Sequence, residues 1–354
     1  MRFRIHLLRL TICLIGIGIF SGCGSGGKVV RRINGGGATF IDPIMQKWST
    51  VYNETKGIEI DYSKSGSGDG IKNMTVMTLD FGCSDAPMNK EQTETAKAKG
   101  GDVVHIPMTI GSVAIVYNVP GLKSQLKLSG KVIGAIYLGE IQMWNHGDIV
   151  ALNPGETLPA TKIVPVYRAE SSGTSNIFSE FLNKSGAAIK PSTNPKWPEK
   201  TGGTGQQGSD GVAGQVKRNE GCIGYVELTY AKKNNIPFAA IRNKAGNDIN
   251  PEPDAVTAAA EGAIGEKPTV EPYSLHELTY SLTDSPNAKA YPICGVSYAV
   301  LYKKQPKDKG KVLVEFLKWA TTDGQKFAVD LDYAPLPKPL QDAIQKRLDE
   351  IEFN

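Results

Sequence analysis

The sequence predicts an α/β protein of two lobes, and two observations carry that prediction. Apolar, β-branched runs alternate along the chain with amphipathic stretches, as strands interleaved with helices do and as bundles or sandwiches do not. The chain has 354 residues, more than one ordinary hydrophobic core serves. Strands are expected at 57–62, 103–107, 113–118, 162–167, 223–226 and 297–301, and helices at 43–52, 70–77, 174–182, 211–217, 253–263 and 311–320. In the last helix Leu313, Phe316, Leu317 and Ala320 share one face while Lys311, Glu315 and Lys318 stay outside it, which marks a core-facing stripe. The stretch 188–208, rich in Pro, Gly, Thr and Lys, reads as a long surface loop.

The N-terminus is set apart from this pattern. Arg2, Arg4 and Arg9 precede an apolar run of eleven residues, 10–20. A membrane-spanning helix needs about 20, so residues 1–22 read as a secretory signal peptide. Phe20-Ser21-Gly22-Cys23 resembles a bacterial lipobox, with Phe20 where Leu is usual. That makes Cys23 the expected lipid-attachment residue and 23–27 a small-residue tether. The expectation is an exported chain, lipid-anchored to the outer face of the cytoplasmic membrane or periplasmic.

Removing the leader takes three basic residues from 40 and leaves 37 against 36 acidic ones. With no cationic field or basic patch, nucleic acid is not an expected partner. Of five cysteines, Cys83, Cys222 and Cys294 remain in the body, in apolar or glycine-rich surroundings. They read as small buried hydrophobes, with a Cys222–Cys294 bridge left open.

Three segments look like small-residue loops running straight into helices: 35–40 (Gly-Gly-Gly-Ala-Thr-Phe), 65–70 (Ser-Gly-Ser-Gly-Asp-Gly) and 168–174 (Arg-Ala-Glu-Ser-Ser-Gly-Thr). Glycine admits a ligand to backbone N–H groups, and a helix start presents unpaired N–H groups with partial positive charge. Taken singly, such loops commonly just cap helices. Three together, one with an Arg after an apolar strand, point to a small oxyanion site. A fourth segment, Leu79-Asp80-Phe81-Gly82-Cys83-Ser84-Asp85-Ala86-Pro87, places a carboxylate after a strand-like run. A carboxylate only accepts hydrogen bonds, so it rewards an anion that carries a proton and repels one that does not. Phosphate near neutral pH keeps a proton; sulfate does not.

At these residues the chain resembles the phosphate-binding protein of the high-affinity phosphate ABC transporter. The matching segments are GGGATFIDPIMQKW, SGSGDGIK, DFGCSDAPM, NVPGLKS with IYLGEIQMWN, RAESSGTS, EGCIGYVELTYAKKNN and DLDYAPLP, in the family's order over most of the mature chain. The resemblance implies a two-lobed periplasmic-binding-protein fold with two hinge crossings, near 109–111 and 286–292, and a ligand cleft between the lobes. Lobe 1 would combine 28–109 with 291–354, and lobe 2 would be 110–290. It implies phosphate-binding roles for Thr39, Phe40 (through its N–H), Ser67, Asp85, Arg168, Glu170, Ser172, Gly173 and Thr174. Glu170-Ser171 departs from the family's usual Asp-Gly, so Glu170 is expected to steady Arg168. Cys83 stands where Ala is familiar.

The implied partners are inorganic phosphate, the membrane permease subunits of the transporter, and the membrane itself through the lipid. The chain is expected to act as a monomer, without cofactor or metal and without enzymatic activity. Competing readings are an exported phosphate sensor, a carrier of another tetrahedral oxyanion, and an exported phosphatase. The last has no metal spacing or histidine set to support it. Gly203-Thr204-Gly205-Gln206-Gln207-Gly208 spells GxGxxG but has no expected strand leading in, so it is not read as a dinucleotide site. His105 reads as structural, Trp48, Trp144 and Trp319 as core, and Trp197 as a loop residue open to exposure.

Overall fold

The computed structural model describes residues 30–354; the signal peptide, the tether and Cys23 lie outside the described residues. The chain runs β1 (Arg32–Gly37), α1 (Asp42–Lys56), β2 (Glu59–Lys64), α2 (Ser67–Thr75), β3 (Phe81–Ser84), α3 (Lys90–Gly100) and β4 (Val103–Tyr117). It continues through β5 (Lys127–Ser129), α4 (Gly130–Tyr137), α5 (Gly147–Leu152), β6 (Val164–Arg168), α6 (Gly173–Lys184), β7 (Thr204–Gln206), α7 (Gly208–Arg218), β8 (Cys222–Glu227), α8 (Leu228–Lys233), β9 (Ala240–Arg242), β10 (Asp248–Ile249) and α9 (Pro253–Glu261). It ends with β11 (Cys294–Tyr302), β12 (Lys304–Gln305), α10 (Lys307–Ala320), α11 (Lys338–Asp349) and β13 (Glu352–Phe353).

Eight strands form one curled sheet in the order β2-β1-β3-β11-β4-β8-β6-β7. The two flanks are parallel, as α/β crossovers require, while β11 and β4 run antiparallel to their neighbours at the centre. Residues 103–112 of β4 pair with β11, and 113–117 pair with β8. One buried strand therefore belongs to both halves of this two-lobed fold. The apolar runs read as separate strands at 103–107 and 113–118 are a single strand of 15 residues. Pro107 did not break it because the β4–β11 ladder shifts register between Ser297 and Tyr298, leaving Met108 as the extra residue of a bulge, where a missing N–H costs little.

The first glycine segment is also not a loop. Gly35, Gly36 and Gly37 are the last residues of β1, held between β2 and β3. A Cβ at Gly35 would fall 2.2 Å from the Phe81 ring, and at Gly37 2.3 Å from the Cys83 carbonyl. These glycines admit close packing behind the site rather than approach of a ligand. Gly203–Gly208 is likewise not wholly a loop, because Thr204–Gln206 pairs with β6 as an edge strand.

Helix starts follow their local chemistry. Asn89 and Gln92 form a reciprocal capping box on α3, and the Ser172 hydroxyl accepts from the Ser175 N–H at the head of α6, each satisfying N–H groups the helix leaves unpaired. Of α10, Leu313, Phe316, Leu317 and Ala320 are buried. Trp48 and Trp144 are fully buried, whereas Trp319 and Trp197 are half-buried and pack on the core. Cys83, Cys222 and Cys294 are buried and unpaired, so the bridge left open between Cys222 and Cys294 is not formed. Among the described residues no helix is long and apolar enough to cross a membrane, and no cluster of side chains suits a metal ion.

Candidate functional site

The strand ends and helix starts nearest the sheet centre converge on one point. Beyond β1, Thr39 is buried, and its hydroxyl lies 3.0 Å from that of Ser209 in the first turn of α7. Its carbonyl accepts from the Tyr230 hydroxyl at 2.7 Å, and the Phe40 carbonyl accepts from Tyr333 at 2.6 Å. These bonds fix the turn that presents Thr39 and Phe40. Ser67 opens α2 with its side chain buried; its hydroxyl accepts from the Gly173 N–H at 2.9 Å. A Cβ on Gly173 would meet Asp85 and the Ser67 hydroxyl at 2.6–2.7 Å. Only glycine lets the head of α6 come so near the β3 loop.

Asp85 follows β3 and is 2 % exposed. Its Oδ1 accepts from the Ser297 hydroxyl at 2.7 Å, while its Oδ2 is 3.5 Å from the Ser67 hydroxyl. Burial pushes its carboxyl up to about 7, against the pull of Ser297, Arg168, Ser67 and Thr174. Such a group is poised to share a proton near neutrality.

Arg168 ends β6 and is 3 % exposed. Its Nε donates to Glu170 Oε1 at 2.7 Å, and its Nη2 also pairs with that oxygen. Its Nη1 lies 3.4 Å from the hydroxyls of Thr174 and Ser209. Glu170 Oε1 also accepts from the Gly208 N–H at 3.1 Å, and its Oε2 is buried without a partner. Glu170 thus aims Arg168 and stays behind it. One edge of the guanidinium is spent on the carboxylate and the other is turned to the hydroxyls.

The structure brings Thr39, Ser67, Asp85, Arg168, Gly173 and Thr174 together in one solvent-excluded cluster, with Phe40 at its edge. Ser172 is more committed: its hydroxyl caps α6, and its N–H donates to the Thr193 carbonyl at 2.7 Å. Two members were not legible as site residues. Ser209 lies just beyond the GxGxxG stretch set aside as a decoy, although that stretch shares the small-residue-into-helix construction of the others. Ser297 sits inside a strand, with no local signal at all.

The cluster sets hydroxyls, helix-start N–H groups and one guanidinium around a single buried carboxylate. Its walls come from α2 and the turns after β1 and β3 on one side of the central β11–β4 pair, and from β6, α6 and α7 on the other. That defines a protein that binds a small oxyanion by enclosing it. The PBP superfamily domain matches residues 25–323 of the chain. The chain is 37% identical over 321 residues to the phosphate-binding protein PstS of Xylella fastidiosa (strain 9a5c), covering 89% of this chain and 84% of that one. It is 35% identical over 327 residues to PstS of Haemophilus influenzae, covering 90% and 92%. Among solved structures it resembles a high affinity periplasmic phosphate-binding protein with phosphate bound, at a TM-score of 0.72 and 22% identity over 89% of this chain and 93% of that one. A phosphate-binding protein from Stenotrophomonas maltophilia matches over the same shares with a TM-score of 0.68 and 20% identity. The chain belongs to the PstS family of phosphate-binding proteins within the PBP superfamily.

Proposed function

We propose that this protein binds inorganic phosphate between its two halves and hands it to the permease of an ABC-type phosphate transporter. The observation that carries the reading is Asp85: one buried acceptor carboxylate among donors suits an anion that brings a proton, and penalises one without. The PstS relatives are named phosphate-binding proteins, which supports the same ligand. In this reading lobe 1 comprises 28–109 with 291–354, and lobe 2 comprises 110–290. Thr39, Phe40, Ser67 and Asp85 bind from lobe 1. Arg168, Ser172, Gly173 and Thr174 bind from lobe 2, with Glu170 holding Arg168 and Ser209 closing the ring. Closure completes the site because neither lobe holds both the guanidinium and the carboxylate. The Ser67–Gly173 hydrogen bond and the Lys64–Asp210 ion pair at 2.5 Å join the lobes in that state.

The protein would work outside the cytoplasmic membrane as a monomer, tethered through a lipid on Cys23. Calorimetric titration of the mature protein with phosphate and with sulfate tests the ligand. Tight phosphate binding with weak sulfate binding is expected, and equal affinities would refute the role given to Asp85.

A further inference from the structure

Asp85 has a neighbour that the binding role alone does not explain. Tyr298 of β11 pairs with Ser84, so Ser297 stands next to Asp85 across the β3–β11 ladder. On its other side Ser297 pairs with Thr109 of β4. The result is a row of three polar side chains, Asp85, Ser297 and Thr109, crossing the centre of the sheet. All three are almost wholly buried, and the Thr109 hydroxyl has no partner. The register shift that follows Ser297 is built in: Met108 is the extra residue, and its carbonyl accepts from Gln325 Nε2 at 3.0 Å. A polar row with an unpaired hydroxyl costs stability at the middle of a core. The one bond in it that reaches the binding site is Ser297 Oγ to Asp85 Oδ1, at 2.7 Å.

We propose that Ser297 is a specificity-positioning residue: by donating to Oδ1 it holds Asp85 as a carboxylate and leaves Oδ2 as the acceptor that faces the ligand, and so sets the discrimination between phosphate and sulfate. The inference rests on the phosphate reading of the site. An ionised Asp85 accepts the ligand's proton and repels a proton-free anion. A protonated Asp85 donates instead, and would serve sulfate as readily. The ionisable groups facing Asp85 are Arg168 from β6, Tyr62 from β2, Tyr298 from β11 and Cys83 from β3. Burial pushes the two phenols and the thiol upward, so they stay neutral and Arg168 is the only charge among them. Against the burial that raises Asp85, the Ser297 hydrogen bond is the foremost opposing influence, ahead of Arg168.

The test is the ratio of phosphate to sulfate affinity, measured by calorimetry from about pH 5.5 to about pH 8.5. It is run on the wild type, Ser297→Ala, Ser297→Cys and Ser297→Thr. Loss of a hydrogen bond to a charged group is worth roughly tenfold or more in affinity. The Ala variant should therefore lower the ratio by about tenfold near neutrality, and its loss of selectivity on acidification should begin about one pH unit higher. Cys keeps the volume but supplies only a weak donor, and should fall with Ala, which guards against a packing artefact. Thr keeps the hydroxyl and should hold the ratio within about threefold of wild type. If Ala and Cys both keep the wild-type ratio at every pH, or Thr loses it as they do, the role of Ser297 is overturned while the phosphate site stands. A wild type that fails to prefer phosphate overturns both.

Discussion

Replacing Asp85 with Asn tests the chemistry of the site most directly. Asp85 is 2 % exposed and its Oδ1 already accepts from Ser297. In the Asn variant that hydroxyl claims the amide oxygen, so the amide N–H group turns toward the ligand. An acceptor becomes a donor at the same place. For phosphate the change removes a charge-assisted hydrogen bond, about 1.5–3 kcal/mol. For sulfate it removes the repulsion between two anions about 4 Å apart, which at an effective dielectric near 20 amounts to about 4 kcal/mol per pair of unit charges. Wild type should thus prefer phosphate by about a thousandfold. Asp85→Asn should erase most of that preference, with phosphate weakened and sulfate strengthened. Asp85→Ala also removes the repulsion but supplies neither acceptor nor donor, so phosphate should weaken and sulfate should gain less than it does in Asp85→Asn. Calorimetric titration of the three proteins with both anions at about pH 8 keeps the wild-type carboxylate ionised, because its titration lies near 7. A phosphate-to-sulfate ratio that is the same in wild type and Asp85→Asn would refute the reasoning.

Arg168→Ala should weaken phosphate by on the order of a hundredfold or more, because a buried charged donor is lost and Glu170 is left without its partner. Arg168→Lys should fall between, since an ammonium cannot serve Glu170 and the ligand with one planar fork. Glu170→Asp should stay within about tenfold if the side chain only steadies the guanidinium; equilibrium titrations read all three. His105 is fully enclosed, accepts from the Met88 N–H at 3.1 Å, and stacks on His276 with ring centroids 3.9 Å apart. Burial, with His276 and Arg347 nearby, holds it well below the usual imidazole range. Its stabilising contribution is therefore complete above about pH 6.5 and is lost as pH falls and the unfolded chain takes up a proton, by up to about 1.4 kcal/mol per pH unit. His105→Gln should flatten that acid limb in urea unfolding curves collected across the range. Cys23→Ser should release the protein from membranes into the soluble fraction, and intact-mass analysis of the wild type should show an acyl adduct on the N-terminal residue.

The parts of the site that the sequence reveals are those in which one short segment holds all the needed chemistry. Arg168 to Thr174 shows an apolar strand end, a guanidinium and a helix start within seven residues, and the structure keeps them together as β6 and α6. Asp85 is legible for the same reason, as a carboxylate just past a strand. What stayed hidden depends on pairing between distant segments. The triple glycine of β1 looks like a flexible loop until Phe81 and Cys83 are seen to occupy the space its side chains would need. Ser297 carries no local mark, because only its register against Ser84 and Thr109 brings it to Asp85. Ser209 stayed hidden because its glycine-rich approach, Gly203–Gly208, spells a dinucleotide-like motif and so does not stand out as a fourth small-residue entry to a helix.

The position of β11 has a bearing on how the molecule is made. It fills the slot between β3 and β4, and Ser297 meets Thr109, 188 positions earlier in the chain (297 − 109). As a nascent chain grows from its N-terminus, β1 to β4 emerge long before the strand that must lie among them. Local contacts form early, but a pairing across so many residues must first meet the entropy of closing a very long loop. Until that closing stretch arrives, β3 and β4 each keep an unpaired edge, the condition in which chains invite foreign partners or chaperones. The N-terminal half therefore cannot finish as an independent intermediate ahead of the remainder. Its completion waits on nearly the whole polypeptide, and a fragment ending before residue 294 lacks the strand on which both halves of the central sheet depend.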